Sequence, residues 1–446
     1  MSMFARSRGA RIEMADVRPL RGLRYAPEAV KNLADAVTPP FDVISPEAQE
    51  RYYARHPYNV IRLELGKLTP EDNALNNRYT RAARTLAEWR LDGVLRQEET
   101  PAYYAYQQIF KHGGQSYTRT SLIARIRLEP WEKHVVLRHE FTRKKDKDDR
   151  LQLLRACSVN LSPIMSMYSD PQGRMRRMLG DYLAHPQVHI TDEVGEEHLL
   201  HPVTDPAVIE RIQDFFAERK LYIADGHHRY ETALNYRNEV QAARPDLSPD
   251  DPVNFVMMAL VDLDDPGMLV LPTHRLFVDL SPQALAGLSS ERLSRYLTVR
   301  EVGPVNAASL RELERAGEEV PTFLLATQQQ GWLLSPNEQG RARMAAAGHS
   351  AAWQTLDVSI AHTLILEEVL GLQPEDLVAG KYVVYTHDER EALDALAQGK
   401  AQAALFLNAT RVRQICEIAD ADDQMPQKST YFYPKLITGL VMNPLW

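Results

Sequence analysis

The stretch LYIADGHHRYETALNYR, Leu221 to Arg237, sets an acid, a glycine, two histidines and an arginine where an apolar run gives way to a helical pattern. A strand that turns through Asp225 and Gly226 into a helix brings backbone N–H groups and the positive end of the helix dipole to one point. His227, His228 and Arg229 add side-chain donors there, and Gly226 lets a ligand approach the backbone with no Cβ in the way. An arginine so placed suits bidentate contact with a phosphate. The chemistry is anion binding. The plainer alternative is that Asp225 caps the helix, Gly226 makes the turn and the histidines are solvated.

Two further stretches carry chemistry. In RHEFT, Arg138 to Thr142, the His139–Glu140 pair follows an apolar run and so belongs at a strand end, with KDDR, Lys147 to Arg150, behind it. A carboxylate there can take a proton from a hydroxyl or bind magnesium, and a solvated strand end is the simpler alternative. The zinc-protease spacing fails, because Arg143 stands where a second histidine is required. In MPQKSTYFYPKL, Met425 to Leu436, the side chains of Lys428, Ser429, Thr430 and Lys435 supply two cations and two hydroxyls within eight residues. That inventory suits phosphate oxygens, although Lys-Ser-Thr is also a common surface tripeptide. It is not a P-loop, since Gly439 follows the lysine instead of preceding it. Thr142, Asn160 and Ser162 are candidates for substrate contacts, with Asp42 and Glu64 behind them. Ser162 lacks the nucleophile elbow of a hydrolase. His362, on an apolar helical stretch, reads as a packed core histidine.

The elements that must position these residues read as α+β. A Pro-Pro turn leads through a short strand to a helix capped near Ser45, and a second strand is expected over Val60 to Leu65. YTRAARTLAEWRLDG reads as a helix stopped by Gly93. AYYAYQQIF and SYTRTSLIARIRL read as strands of a hairpin whose glycines, in KHGGQ, supply positive φ. NLSPIMSMYS, VNFVMMALVDL and MLVLPTHRLFVDL are further strands, and SPQALAGLSSERLSRYL is a helix. Strands alternating with helices over the last hundred residues argue for an α/β unit. Three parts are expected: residues 14–240 with the catalytic motifs, 241–345 as a connecting subdomain, and 346–446 as a C-terminal α/β unit with the MPQKST motif.

Composition narrows the function classes. The chain has 446 residues, 44% of them hydrophobic, which suffices for two or three packed units. Its 52 basic and 60 acidic residues leave a net charge of −8, with no basic run of nucleic-acid-binding length, so no nucleic-acid partner is expected. Cys157 and Cys416 form neither a disulfide framework nor a zinc pattern, which fits a reducing cytoplasm. No apolar stretch approaches the roughly 18 residues of a membrane helix, so no membrane partner is expected. Residues 1–13 read as a dispensable extension, with Met14 as a second start. The oligomeric state stays open.

The ordered set ADVRPLRGLRY, PPFDVISPE, YNVIRLELGK, LRHEFT, DDR, NLSPI, YIADGHHRYETAL and MPQKSTYFYPKL resembles the bacterial DUF1015 family, named for its unknown function, over nearly the whole chain from Met14. Locally, IADGHHRYETAL is similar to the phosphate-binding turn of the ParB/sulfiredoxin superfamily. That resemblance implies a ParB/sulfiredoxin-like core with an additional α/β C-terminal subdomain. The superfamily includes nucleotide-binding ParB proteins, sulfiredoxins, and kinases of free L-serine. Sulfiredoxin chemistry needs a cysteine in the turn, where this chain has His227. A ParB-type DNA clamp needs a basic reading face.

The kinase branch implies that Glu140 is the catalytic glutamate, joined by His139 and Asp225. It further implies that Gly226, His227, His228 and Arg229, with Lys428, Ser429, Thr430 and Lys435, hold the donor. Magnesium, and pyrophosphate or ATP/ADP as phosphate donor, are implied with it. The alternative is a non-enzymatic nucleotide-binding regulator of ParB-like type.

Overall fold

Gly113 and Gly114, at φ 56° and 79°, close a hairpin between the strands Tyr103–His112 and Gln115–Arg127, as the sequence predicts. This hairpin lies within the larger of two units in the computed structural model, which describes residues 14–142, 144–378 and 380–446. The expected extension at residues 1–13 lies outside the described residues. The first unit holds the described residues up to Leu137, Thr142–Met268 and Pro434–Trp446; the second holds Arg138–Phe141 and Leu269–Tyr433.

The first unit is built on a nine-stranded mixed sheet. Its path runs Val136–Leu137, Leu221–Asp225, Ile164–Tyr168, Phe255–Asp262, Gln115–Arg127, Tyr103–His112, Glu197–Val203 and Val188–Thr191, with Val17–Arg18 paired to Gln115–Arg127. Leu221–Asp225 runs parallel to Val136–Leu137 and antiparallel to Ile164–Tyr168, and Phe255–Asp262 runs parallel to Ile164–Tyr168. Every residue of Phe255–Asp262 is buried, which explains its unbroken apolar run. Helices cover the sheet with a core that includes Tyr103, Ile212, Phe216, Ile223, Tyr230 and Met258. The chain end returns to this unit: Asn443–Pro444 pairs with Val159–Asn160, and Met442 bridges Leu23.

A second apolar cluster of this unit corrects one expectation. Val60 to Leu65 is not a strand; a short helix spans Ile61–Glu64. Asn59 accepts a hydrogen bond from the Ile61 N–H through its side chain at 2.9 Å, which turns the chain, and Ile61 and Leu63 are then buried. The short strand expected just before Ser45 is likewise a 3-10 turn, Phe41–Val43. The Ser45 cap stands as expected, on the helix Pro46–Arg55.

The second unit carries a six-stranded sheet in the order Leu297–Gly303, Gly331–Pro336, Phe323–Ala326, Ala403–Leu407, His274–Phe277 and Val383–Thr386. All its pairings are antiparallel. Helices Ala307–Gly317 and Glu389–Ala397 cover it through Leu310, Leu313, Ala392 and Leu396. This sheet draws strands from both expected segments, 241–345 and 346–446, so the structure joins what the sequence divides. The helix expected over residues 281–297 is broken into Pro282–Leu285, a 3-10 turn and Ser290–Leu293, because Ser289 opens a new cap.

Candidate functional site

In the first unit the strand Leu221–Asp225 ends at Asp225, Gly226 turns, and the helix His227–Ala243 begins. Gly226 sits at φ 99°, a conformation L side chains rarely adopt, and a Cβ there would lie 2.9 Å from the Arg229 guanidinium. Glycine is therefore required twice over. No side chain caps this helix, so its first N–H groups and the positive dipole end meet at the turn.

Two cations grip Asp225. Lys435 Nζ donates to Oδ1 at 2.9 Å, and Arg229 Nη2 donates to Oδ2 at 3.0 Å. Burial alone would push this carboxyl up, but Lys435 and Arg229 outweigh it and hold it well below the usual carboxylate range. One carboxylate between two cations leaves a net positive charge at the head of a helix. That is an anion-attracting arrangement.

Arg229 is placed differently from the expectation of a phosphate ligand. Its Nη1 donates to Ser162 Oγ at 3.2 Å and to the Pro163 carbonyl at 2.6 Å, so both terminal nitrogens hold protein groups. Arg229 ties the turn to the loop between two strands. Ser162 in turn donates to Glu64 Oε1 at 3.3 Å, and Arg150 Nη1 lies 3.6 Å from the same carboxylate. Burial pushes Glu64 up, with Arg150 and Arg229 opposing. A cavity of about 50 Å³ beside these groups is lined by Glu64, Arg150, Ser162 and Arg229 among others, room for water at most.

The remaining expected residues of this unit divide by role. His227 is buried at the helix start, and His228 Nε2 lies 3.7 Å from Asp146. Thr142 Oγ1 donates to Glu231 at 2.5 Å, beside the Lys147–Glu231 ion pair at 2.7 Å. Asn160 accepts from the Met257 N–H and the Asn443 side chain, which makes it a strand tie. The backbone of Lys435 is fixed by a pair that the sequence did not reveal. Buried Arg119 donates to the Pro434 carbonyl at 2.6 Å and to Gln108 at 2.5 Å, and Gln108 donates to the Lys435 carbonyl at 3.1 Å. A buried arginine on an apolar strand was the one available signal.

In the second unit, Met425 donates its N–H to the His139 carbonyl at 2.8 Å, in a parallel bridge between Glu140 and Met425. His139 Nε2 lies 3.3 Å from Thr430 Oγ1. The RHEFT and MPQKST motifs are thus neighbours in space. Ser429 is buried and donates to the Pro426 carbonyl at 2.5 Å, a turn-forming use of its hydroxyl, while Lys428 is exposed at φ 59°. Within the first unit Asp225, Gly226, Arg229, Ser162 and Lys435 come together, and within the second His139, Glu140, Ser429 and Thr430 do.

Residues 17–359 match the family model described as "Protein of unknown function (DUF1015)". No curated protein matches the sequence. Among solved structures, a conserved hypothetical protein from Pyrococcus furiosus is 12% identical, with a TM-score of 0.36, over 73% of this chain and 97% of its own. A free serine kinase in complex with AMP is 11% identical, with a TM-score of 0.35, over 72% of this chain and 91% of its own. A C-terminally truncated SbnI from Staphylococcus aureus is 10% identical, with a TM-score of 0.34, over 72% of this chain and 87% of its own.

Proposed function

The chain belongs to the DUF1015 family of proteins of unknown function, and we propose that it is a small-molecule kinase that transfers a phosphoryl group to the hydroxyl of free L-serine. The observation that carries this reading is the turn at Gly226, where an uncapped helix N-terminus meets a carboxylate held by both Arg229 and Lys435. The local likeness of IADGHHRYETAL to the ParB/sulfiredoxin phosphate-binding turn supports it, and the core is taken to be of that kind.

Phosphoryl transfer asks little covalent work of a protein; it needs positioning and charge neutralisation. The N–H groups of the turn, with the net positive charge of the Arg229–Asp225–Lys435 set, would hold the transferred group. Arg229 acts there by fixing the turn, and Lys435 brings its ammonium group to the same turn through Asp225. Glu140 is assigned the general base that takes the proton from the acceptor hydroxyl. Pyrophosphate and ATP or ADP are the proposed donors.

Each oxygen of Asp225 already accepts from a cation, and no step is assigned to magnesium. Cys157 and Cys416 are buried and not joined in a disulfide, and burial pushes the Cys157 thiol up to about 12, which suits a reducing cytoplasm. Among the described residues no helix is long and apolar enough to cross a membrane.

The test is a screen of each donor with L-serine and magnesium, read as phosphoserine by mass spectrometry. Glu140→Gln should lower kcat by about 10² to 10⁴ with donor affinity within a few-fold of wild type. Unchanged kcat removes Glu140 from the chemistry, and the absence of phosphoserine with every donor overturns the kinase assignment.

A further inference from the structure

The second unit contains a pocket of about 540 Å³, within the range of small-molecule sites, and none of the motif residues above lines it. Its lining brings together Asp357, Arg341, Arg411 and Gln414 with the apolar side chains of Met344 and Ile360. Asp357 opens a helix, Asp357–Ile360, that passes directly into a π-helix, Ala361–Val369. Such widened turns are rare and recur at functional sites. The carboxyl of Asp357 accepts from its own backbone N–H, and among the described residues it has no side-chain hydrogen-bond or ion-pair partner. Burial pushes it up to about 7, with Arg411 opposing, so it stands largely desolvated without a counter-ion in contact.

The two arginines are anchored but not consumed. Arg341 donates through Nη1 to the Pro336 carbonyl at 2.7 Å, and Arg411 through Nη2 to the Gly317 carbonyl at 3.1 Å. Each keeps its other N–H groups. A carboxyl awaiting a cation, guanidinium groups awaiting an anion, and an apolar wall together describe a zwitterion with an apolar body.

We propose that this pocket is a binding site for a free amino acid with a large apolar side chain, its ammonium group on Asp357 and its carboxylate on Arg411 and Arg341. The pocket shares no residue with the Asp225 turn, and the proposal does not depend on the kinase assignment. Its role would be to bind the ligand, with Glu318, Glu319, Ser335 and Thr355 completing the polar part of the lining.

Calorimetric titration of the full chain with L-leucine, L-methionine and L-phenylalanine tests this, with isocaproate and isoamylamine as leucine analogues lacking the amine and the carboxylate. At least one amino acid should bind, and either analogue should bind roughly ten-fold more weakly or worse than leucine. Asp357→Asn and Arg411→Ala should each weaken binding by a similar factor, with circular dichroism confirming the fold; Arg411 is exposed, so its change spares the core. No binding by any of the three up to about 10 mM overturns the proposal. So does isocaproate binding as tightly as leucine, or affinity unchanged in both variants.

Discussion

Asp225 and Asp357 are both withdrawn from water at the start of a helix, and they end in opposite states. Asp225 meets Lys435 at 2.9 Å and Arg229 at 3.0 Å and is held well below the usual range. Asp357 has the field of Arg411 and its own backbone N–H but no cation in contact, and burial pushes it up to about 7. Burial acts in the same direction on both, so the cations in contact decide the sign. The first arrangement is closed on itself and attracts an anion with its surplus charge; the second is unfinished and awaits a cation.

The largest effect should come from removing both partners of Asp225. The double change Lys435→Ala and Arg229→Ala should cost about 3 to 5 kcal/mol in urea unfolding at neutral pH, because it strands a mostly buried charge. Adding Asp225→Asn should restore part of that loss. A double variant as stable as wild type would break the comparison, for it would mean that solvent already satisfies Asp225.

Gly226→Ala should cost about 1 to 3 kcal/mol, since it forces a left-handed alanine and crowds the Arg229 guanidinium. Thermal unfolding beside a Gly195→Ala control, also at positive φ but with nothing near its Cβ, separates crowding from backbone strain.

The smallest effect is a matter of pH. Asp225 has a lowered folded pKa, so its contribution is present above about pH 4 and is lost as pH falls below that. Asp357 has a raised one, so the folded chain binds the extra proton between about pH 4 and about pH 7, and stability falls as pH rises through that window. Arg341, Arg411, Glu318 and Glu319 line the same pocket as Asp357. Asp357→Asn should therefore stabilise the protein at pH 8 by about 1 to 2 kcal/mol and leave pH 4 unchanged. Equal stability of the two proteins at pH 8 would place Asp357 in water.

Much of the first unit was legible because its signals are local. Gly113–Gly114 declares a hairpin, and Asp225–Gly226 declares a strand turning into a helix, with each residue sitting within a few positions of its effect. Residues 60–65 misled because Ile61, Leu63 and Leu65 alternating with Arg62 and Glu64 imitate a strand, while the deciding group is the Asn59 side chain, a turn signal just upstream. Arg229 was legible as a cation but not as an anchor, since Ser162 and Pro163 lie more than sixty residues away. Lys435 was legible as a candidate cation, yet its bond to Asp225 spans 210 positions. Pocket residues around Asp357 were invisible for the same reason, coming from separate segments near 318, 341, 357 and 411. The antiparallel sheet of the second unit was hidden because alternating helices and strands fix the layers but not the strand directions.

The central claim is that the Asp225–Gly226 turn and Lys435 together hold a phosphoryl group. Calorimetric titration of pyrophosphate and of ADP into wild type and Lys435→Met, with folding verified on the same preparations, tests it most directly. The account predicts measurable binding to wild type and a loss of roughly ten- to hundred-fold in the variant, the worth of a hydrogen bond to a charged group. Equal affinity in the two folded proteins, or no binding of either anion to wild type, would contradict it.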